Sequence, residues 1–259
     1  MNLCSLRSSS SGNAILVYNQ KTKILTDCGI SGKIAENALI EAGISPLEIS
    51  ALLVTHEHID HIKGVGILSR RYNIPIFANE KTWNEMHGII GNIDEKDIKI
   101  IKNYEDFEIG DIGVKSFEIP HDAADPVGYS FFSDNKKISV ATDIGVLKKS
   151  LFSAIQKSDI VLLESNHDIN MLDIGSYPFP LKQRIKSDIG HLSNDDAGKA
   201  AEFLVRMGTE KIMLGHLSKE NNYPLLAFKT VENILNKADI KVGKDVKLKV
   251  AGRDEISFI

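Results

Sequence analysis

The apolar run at residues 51–54, Ala-Leu-Leu-Val, ends abruptly in Thr55-His56-Glu57-His58-Ile59-Asp60-His61. Three of the chain's eight histidines and an aspartate therefore fall within six residues. The run ahead of them is short and apolar, as a buried strand is. Residues two apart in an extended segment point to the same side, so His56 and His58 present their imidazoles to one point. Asp60 and His61, at the start of a helix from about residue 60, aim at a neighbouring point. A helical H-E-x-x-H zinc site is excluded, because the histidines stand at i, i+2 and i+5. Imidazole with carboxylate is the preferred donor set for Zn²⁺, Mn²⁺ or Fe²⁺. Four donors exceed what one catalytic ion with an open position needs, and two ions are the more natural count. The fold must then bring further donors to this strand end.

Three other places supply them after strand-like runs. His121 follows "FEIP", Asp143 follows "KISVAT", and His216 follows "KIMLG". Strand-like runs recur along the chain, at 14–18, 23–27, 51–55, 74–78, 114–119, 128–132, 137–142, 159–164, 211–215 and 246–250. Helical spacing of apolar residues marks 32–43, 194–208 and 225–238. Strands come first in small antiparallel groups, then strand and helix alternate, and this pattern occurs roughly twice. Two mixed sheets packed face to face with helices outside satisfy it. Active sites in such layered folds gather at strand ends.

Composition sets limits on partners. The chain is 42% hydrophobic and 25% charged, with a formal charge of −4, so no broad basic face for nucleic acid is advertised. Two cysteines, Cys4 and Cys28, are too few for a disulfide framework and read as buried, reduced thiols. The first residues lack an apolar core of signal-peptide length, and no run approaches a membrane span. A cytoplasmic protein without membrane contact is the expectation.

"THEHIDH" followed by His121, Asp143 and His216 resembles the metallo-β-lactamase superfamily over about residues 1–255. That resemblance implies an α/β fold, a four-layer αββα sandwich, with residues 1–259 as one domain. It implies that His56, His58 and His121 hold one divalent ion, that Asp60, His61 and His216 hold a second, and that Asp143 bridges them. Asp27, ending "KILTD", would orient the ligands from outside the ion's own contacts. Two such ions lower the pKa of a shared water, so that hydroxide exists near neutral pH to attack a carbonyl or a phosphorus. Zn²⁺ and Mn²⁺ are the expected ions, and Fe²⁺ fits the same donors.

Membership does not choose a substrate. The diiron redox branch replaces a ligand histidine where this chain keeps "HEHIDH", so hydrolysis is favoured. Glu164 in "VLLES" and His191 in "GHLSNDDA" are similar in placement to a carboxylate–histidine pair of the tRNA-maturing ribonuclease Z, which hands a proton to the departing sugar oxygen. Leu163 stands where that family has histidine, so the correspondence is partial. With Asp60, these two form the expected catalytic set. The stretch "YPFPLKQRIKSD" places Tyr177 and Phe179 beside Lys182, Arg184 and Lys186, aromatic and cationic groups suited to a nucleic-acid strand. The polar, loop-like "SLRSSSSGNA" offers Ser10, Ser11 and Asn13 to a phosphate, and His167 is a further candidate on the site's wall. His87 reads as structural or exposed.

"SLRSSSSGNA", "YPFPLKQRI" and "GHLSNDDA" together resemble the YycJ/WalJ branch of the superfamily. That branch implies 5′→3′ exonuclease action on DNA, a part in mismatch repair, and Mn²⁺ or Zn²⁺ use. The acidic net charge departs from it and leaves room only for a narrow, local DNA channel. Two rivals stand beside this reading. One is a small-molecule hydrolase of the same fold, acting on a thioester, a lactone or a cyclic nucleotide. The other is a non-catalytic metal-binding regulatory partner.

Overall fold

A computed structural model describes residues 1–259. Its first sheet contains β1 (Asn2–Ser9), β2 (Gly12–Tyr18), β3 (Lys23–Thr26), β4 (Ala51–Leu53), β5 (Ile76–Asn79) and β6 (Ile98–Ile101). The second contains β7 (Asp106–Ile109), β8 (Ile112–Glu118), β9 (Val127–Ser133), β10 (Lys136–Ala141), β11 (Ile160–Glu164), β12 (Lys211–Gly215) and β13 (Lys247–Val250). The last strand, β14 (Ser257–Phe258), returns to the free edge of β1. Strand orders are β14-β1-β2-β3-β4-β5-β6 and β13-β12-β11-β10-β9-β8-β7. Each sheet is antiparallel on one side and parallel on the other, the change falling at β3/β4 and at β10/β11. The doubled pattern legible in the sequence is this pair of half-antiparallel, half-parallel sheets.

Helices α1 (Gly32–Glu41), α2 (Ile59–Ile62), α3 (Val65–Tyr72) and α4 (Glu80–Ile90) accompany the first sheet. Helices α5 (Lys149–Ile155), α6 (Ile169–Ile174), α7 (Phe179–Lys186), α8 (Asn194–Arg206) and α9 (Pro224–Lys237) accompany the second. Alternate residues of one strand serve different apolar layers. On β2, Leu16 packs outward with Leu39 of α1 and Leu68 of α3, while Ile15 and Val17 face the other sheet. On β11, Val161 and Leu163 meet Leu204 and Val231 of α8 and α9, while Ile160 and Leu162 face inward. Strands buried on both faces read as continuous apolar runs rather than alternating ones. The result is the four-layer αββα sandwich expected from the sequence. Leu162 is fully buried between the sheets, so Leu162→Ala is expected to cost about 2–5 kcal/mol, read as a lower denaturant midpoint at unchanged slope.

Beyond elements the sequence reading did not list, such as β6, β7 and β14, two details near the rim differ from it. "SLRSSSSGNA" is a hairpin of β1 and β2 rather than a loop, with Ser5, Ser8 and Ser9 buried. Its hydroxyls suggested a turn, but the ladder with β2 and β14 overrides that local preference. The helix expected from about residue 60 is the four-residue α2, which gives way to α3 around Gly64. Both cysteines are free and buried, and burial pushes the thiols up, to about 11 at Cys4 and about 12 at Cys28. No helix is long and apolar enough to cross a membrane.

Strands β3, β4, β10, β11 and β12 deliver their C-terminal ends to one rim. Three residues just past such ends, Asp27 (φ 59°), Asp143 (φ 61°) and His216 (φ 57°), hold the left-handed conformation. That conformation costs a residue bearing a Cβ roughly 1–2 kcal/mol. Such strain gathers at functional sites, where the surroundings over-determine it.

Candidate active site

Past β4 the chain stays extended to His58, which caps α2 with φ −60° and ψ 144°. The following turn is pressed against the loop after β3. A Cβ built on Gly29 would lie 1.6 Å from the carbonyl oxygen of Asp60, so only glycine permits this approach. Glu57 Oε1 accepts the Ala124 N–H at 2.8 Å. The Val127 N–H donates to the Thr55 carbonyl at 3.1 Å. These two bonds tie the loop carrying His121 to the loop carrying His56 and His58.

Four groups of donor atoms result, each with its atoms within 4.8 Å of one another. One is His56, His58 and His121, and another is Asp60, His61 and His216. Asp143 joins His56 and His61 in the third, and Glu164, His191 and His216 in the fourth. Asp143 thus lies between the two triads, with Oδ2 3.3 Å from His61 Nε2 and Oδ1 3.2 Å from His216 Nε2. All seven residues drawn from the sequence as ion ligands come together here.

The first triad turns three ring nitrogens toward one another. His56 Nε2 lies 3.1 Å, and His121 Nε2 3.3 Å, from His58 Nδ1. Asp143 Oδ2 is buried without a hydrogen-bond donor. Facing lone pairs and an unpartnered buried carboxylate oxygen are what a divalent cation would satisfy, and imidazole with carboxylate is a donor set such ions accept. Charge in the metal-free protein answers the same need with protons. Burial opposes a charged His61, yet Asp143, Asp27 and Asp60 outweigh it and hold its pKa well above the ordinary value. Burial, reinforced by neighbouring histidines, holds His56 well below it. Burial alone would raise Asp143, but His216 and His61 outweigh it and keep the carboxyl well below the usual range.

Neighbours fix which nitrogen each ring turns inward. Asp27 Oδ2 is 2.8 Å from His61 Nδ1, and its Oδ1 accepts the Thr55 N–H at 2.9 Å. Thr55 Oγ1 donates to Asp27 Oδ2 at 2.8 Å and lies 3.0 Å from His56 Nδ1. His121 Nδ1 donates to the Gly190 carbonyl at 3.1 Å. Each of these rings is left with Nε2 facing the cluster.

Beside the cluster, His191 Nδ1 lies 2.8 Å from Glu164 Oε1. Glu164 is fully buried, and its Oε2 accepts the N–H groups of Ile144 and Leu192 at 2.5 and 3.1 Å. Burial opposes a charged His191, but Glu164 outweighs it and raises the pKa. The His191 ring stacks on His216 at 5.3 Å.

A cleft of 210 Å³ opens over these groups, walled by His58, Asp60, Asp143, His191 and His216 and roofed by Tyr177 and Arg184. Of the substrate contacts expected from sequence, Ser10 and Arg184 line it. Ser11 is exposed outside it. Asn13 is buried behind the cluster, its Nδ2 3.0 Å from His216 Nδ1 and 3.3 Å from His61 Nε2. His167 is buried off the cleft, with Nδ1 unpartnered. Lys182 donates to the carbonyls of Asp173 and Gly175, and Lys186 pairs with Asp173, so both fasten α7 to the end of α6. His87 is exposed, as expected. Residues that sequence reasoning passed over complete the site. Asp122 takes the Arg184 guanidinium in a two-point pair, Nη2 to Oδ1 at 2.8 Å, and Asn166 and Ser218 add polar groups to the wall. "PHD" and "GHLS" carried two of these beside recognised histidines.

The family match extends over residues 22–217, to the β-lactamase superfamily domain. The exodeoxyribonuclease YycJ of Bacillus anthracis is 42% identical over 241 residues, 92% of this chain and 90% of that protein. The exodeoxyribonuclease WalJ of Streptococcus pneumoniae is 43% identical over 245 residues, 94% and 91% of the two chains. The chain belongs to the metallo-β-lactamase superfamily, in its YycJ/WalJ branch. Its fold agrees with the crystal structure of the metallo-β-lactamase fold protein YhfI from Bacillus subtilis, with a TM-score of 0.76 at 13% identity over 100% of this chain and 98% of that one. In this branch member, the donors of the "HEHIDH" turn and of the later strand ends form a set able to hold divalent metal.

Proposed function

We propose that the protein is a divalent-metal-dependent exodeoxyribonuclease that degrades DNA from the 5′ end, with two ions at the shared cluster. The observation that carries this reading is one cleft that opens both on His58, Asp60, Asp143 and His216 of the donor cluster and on His191, a histidine backed by a buried carboxylate. The named activity of the 42–43% identical relatives supports it. His56, His58 and His121 would hold one ion, Asp60, His61 and His216 the other, and Asp143 would touch both. Bound there, divalent ions supply an ionised water and draw charge from the phosphate oxygens.

The chain's own residues do the rest. Arg184, its fork aligned by Asp122, binds a phosphate oxygen at the cleft mouth. Ser10 and Ser218 offer hydroxyls beside it. Glu164 accepts a hydrogen bond from His191 Nδ1–H and steadies the imidazolium, whose Nε2–H gives the departing sugar oxygen its proton and leaves a neutral ring. Asp27 and Thr55 hold His61 and His56 in the donor tautomer.

Asn13 belongs with these positioning residues. Its carboxamide lies 3.0 Å from His216 Nδ1 and bears on how that ring is turned toward an ion. Asn13→Leu is therefore expected to weaken retention of one ion about 10–100-fold, with Asn13→Asp retaining more, read by competition against a metallochromic chelator.

Purified protein with Mn²⁺ or Zn²⁺ is to be offered end-labelled duplex and single-stranded DNA and a nitrophenyl phosphodiester. Stepwise loss of 5′ label supports the reading. Cleavage of the small diester with DNA intact supports the small-molecule hydrolase. Metal binding with neither substrate cleaved supports the regulatory partner.

A further inference from the structure

The segment after β12 serves two cavities with alternate residues. His216 and Ser218 line the metal cleft, while Leu217 and Lys219 line a second cavity of 300 Å³. The end of β1 and the turn after it do the same, Ser10 facing the cleft and Ser8 the second cavity. The two are bound together at this wall, where the Ser10 N–H donates to the Leu217 carbonyl at 3.2 Å and Ser8 Oγ accepts the His216 N–H at 2.9 Å. The second cavity lies on the same rim, one strand further along the sheet. β13 neighbours β12 in parallel and carries Ala251 and Arg253 past its end, and adjacent strands are about 4.8 Å apart.

Its lining carries two cations, an aromatic ring and one acid. Arg253 Nε is buried without a hydrogen-bond partner, and Lys219 is exposed at the mouth. Tyr223, half exposed, lines it with its aromatic side chain, and the buried Asn222 carboxamide holds the backbone beneath. α9 starts there with no side-chain cap and no acid in its first turn. Asp254 is the one acid on the wall.

Resting on the nuclease reading, we propose that this cavity binds the DNA strand beyond the scissile phosphodiester. Lys219 and Arg253 take a backbone phosphate and Tyr223 stacks on a base. Cations beside an aromatic face hold single-stranded nucleic acid without reading its sequence. The strand leaves the metal cleft over the rim of the 216–219 segment and enters the second cavity within a nucleotide or two. This supplies the local channel that a net charge of −4 requires.

The test is the dependence of KM on strand length, from two to twelve nucleotides, and on salt, in the metal-loaded enzyme. In the wild type KM falls as the strand grows. The double variant Lys219→Gln/Arg253→Gln is expected to lose most of that fall, on the order of tenfold or more at the longest strand, and its salt slope drops by about 0.7. Tyr223→Ala is expected to lose part of the length dependence with its salt slope kept. Lys21→Gln/Lys136→Gln, which removes the same charge from the opposite end of the strands, is the control. A double variant with wild-type length dependence and salt slope overturns the inference, as does an equal loss in the control. A wild type that cleaves the nitrophenyl diester and no DNA of any length overturns the nuclease reading itself, and this inference with it.

Discussion

Removing divalent ions with a chelator is expected to abolish DNA degradation and to lower the thermal midpoint in the same step. Two ring nitrogens, of His56 and His121, meet at His58 Nδ1, and Asp143 Oδ2 is buried with no donor. Asp143, Asp27 and Asp60 draw positive charge to this point, holding the His61 pKa well above its ordinary value, and a divalent ion answers the same demand. An ion that binds the folded chain alone, at 100 times its dissociation constant, adds about 2.7 kcal/mol of stability. Scanning calorimetry before and after chelation reads that difference, and adding back Mn²⁺ or Zn²⁺ restores both midpoint and activity. His58→Ala keeps the fold, since His58 is partly exposed, and is expected to lose both the activity and the metal-dependent rise. An unchanged midpoint on chelation would count against an ion at this cluster.

His191→Ala is expected to slow turnover on DNA by about 10²–10⁴-fold, with KM little changed. The loss should shrink sharply on a nitrophenyl phosphodiester, whose leaving group departs without a proton. Glu164→Gln is expected to fall between wild type and His191→Ala, because it weakens the hold on Nδ1 while its other oxygen site still meets the Ile144 and Leu192 N–H groups. An equal loss on both substrates would mean that His191 acts on the fold or on the ions and gives no proton.

The ion ligands were legible because type, spacing and strand ends all agree on them. "HEHIDH" follows a strand, and His121, Asp143 and His216 each follow another. The layers were legible because strands buried on both faces leave continuous apolar runs. Contacts spanning long stretches of chain left no such mark. Asn13 meets His216 across 203 residues, and Asp122 meets Arg184 across 62. The basic stretch before His191 held a signal that charge counting obscured. Lys182 and Lys186 are four apart on α7 and share one face, which turns to Asp173, while Arg184 points the other way into the cleft. Buried serines in β1 misled for a different reason, since their hydroxyls suggest a turn that only the neighbouring strands forbid.

Asp27, Asp143 and His216 sit where glycine would be more comfortable. Their combined burden, a few kcal/mol at roughly 1–2 each, is a sizeable share of the roughly 5–15 kcal/mol that keeps an ordinary protein folded. Backbone comfort alone would favour glycine at those three places. Each exchange would also remove the Thr55 and His61 bonds of Asp27, or a hold on the ion that steadies the fold, so the strain stays for as long as the chemistry does.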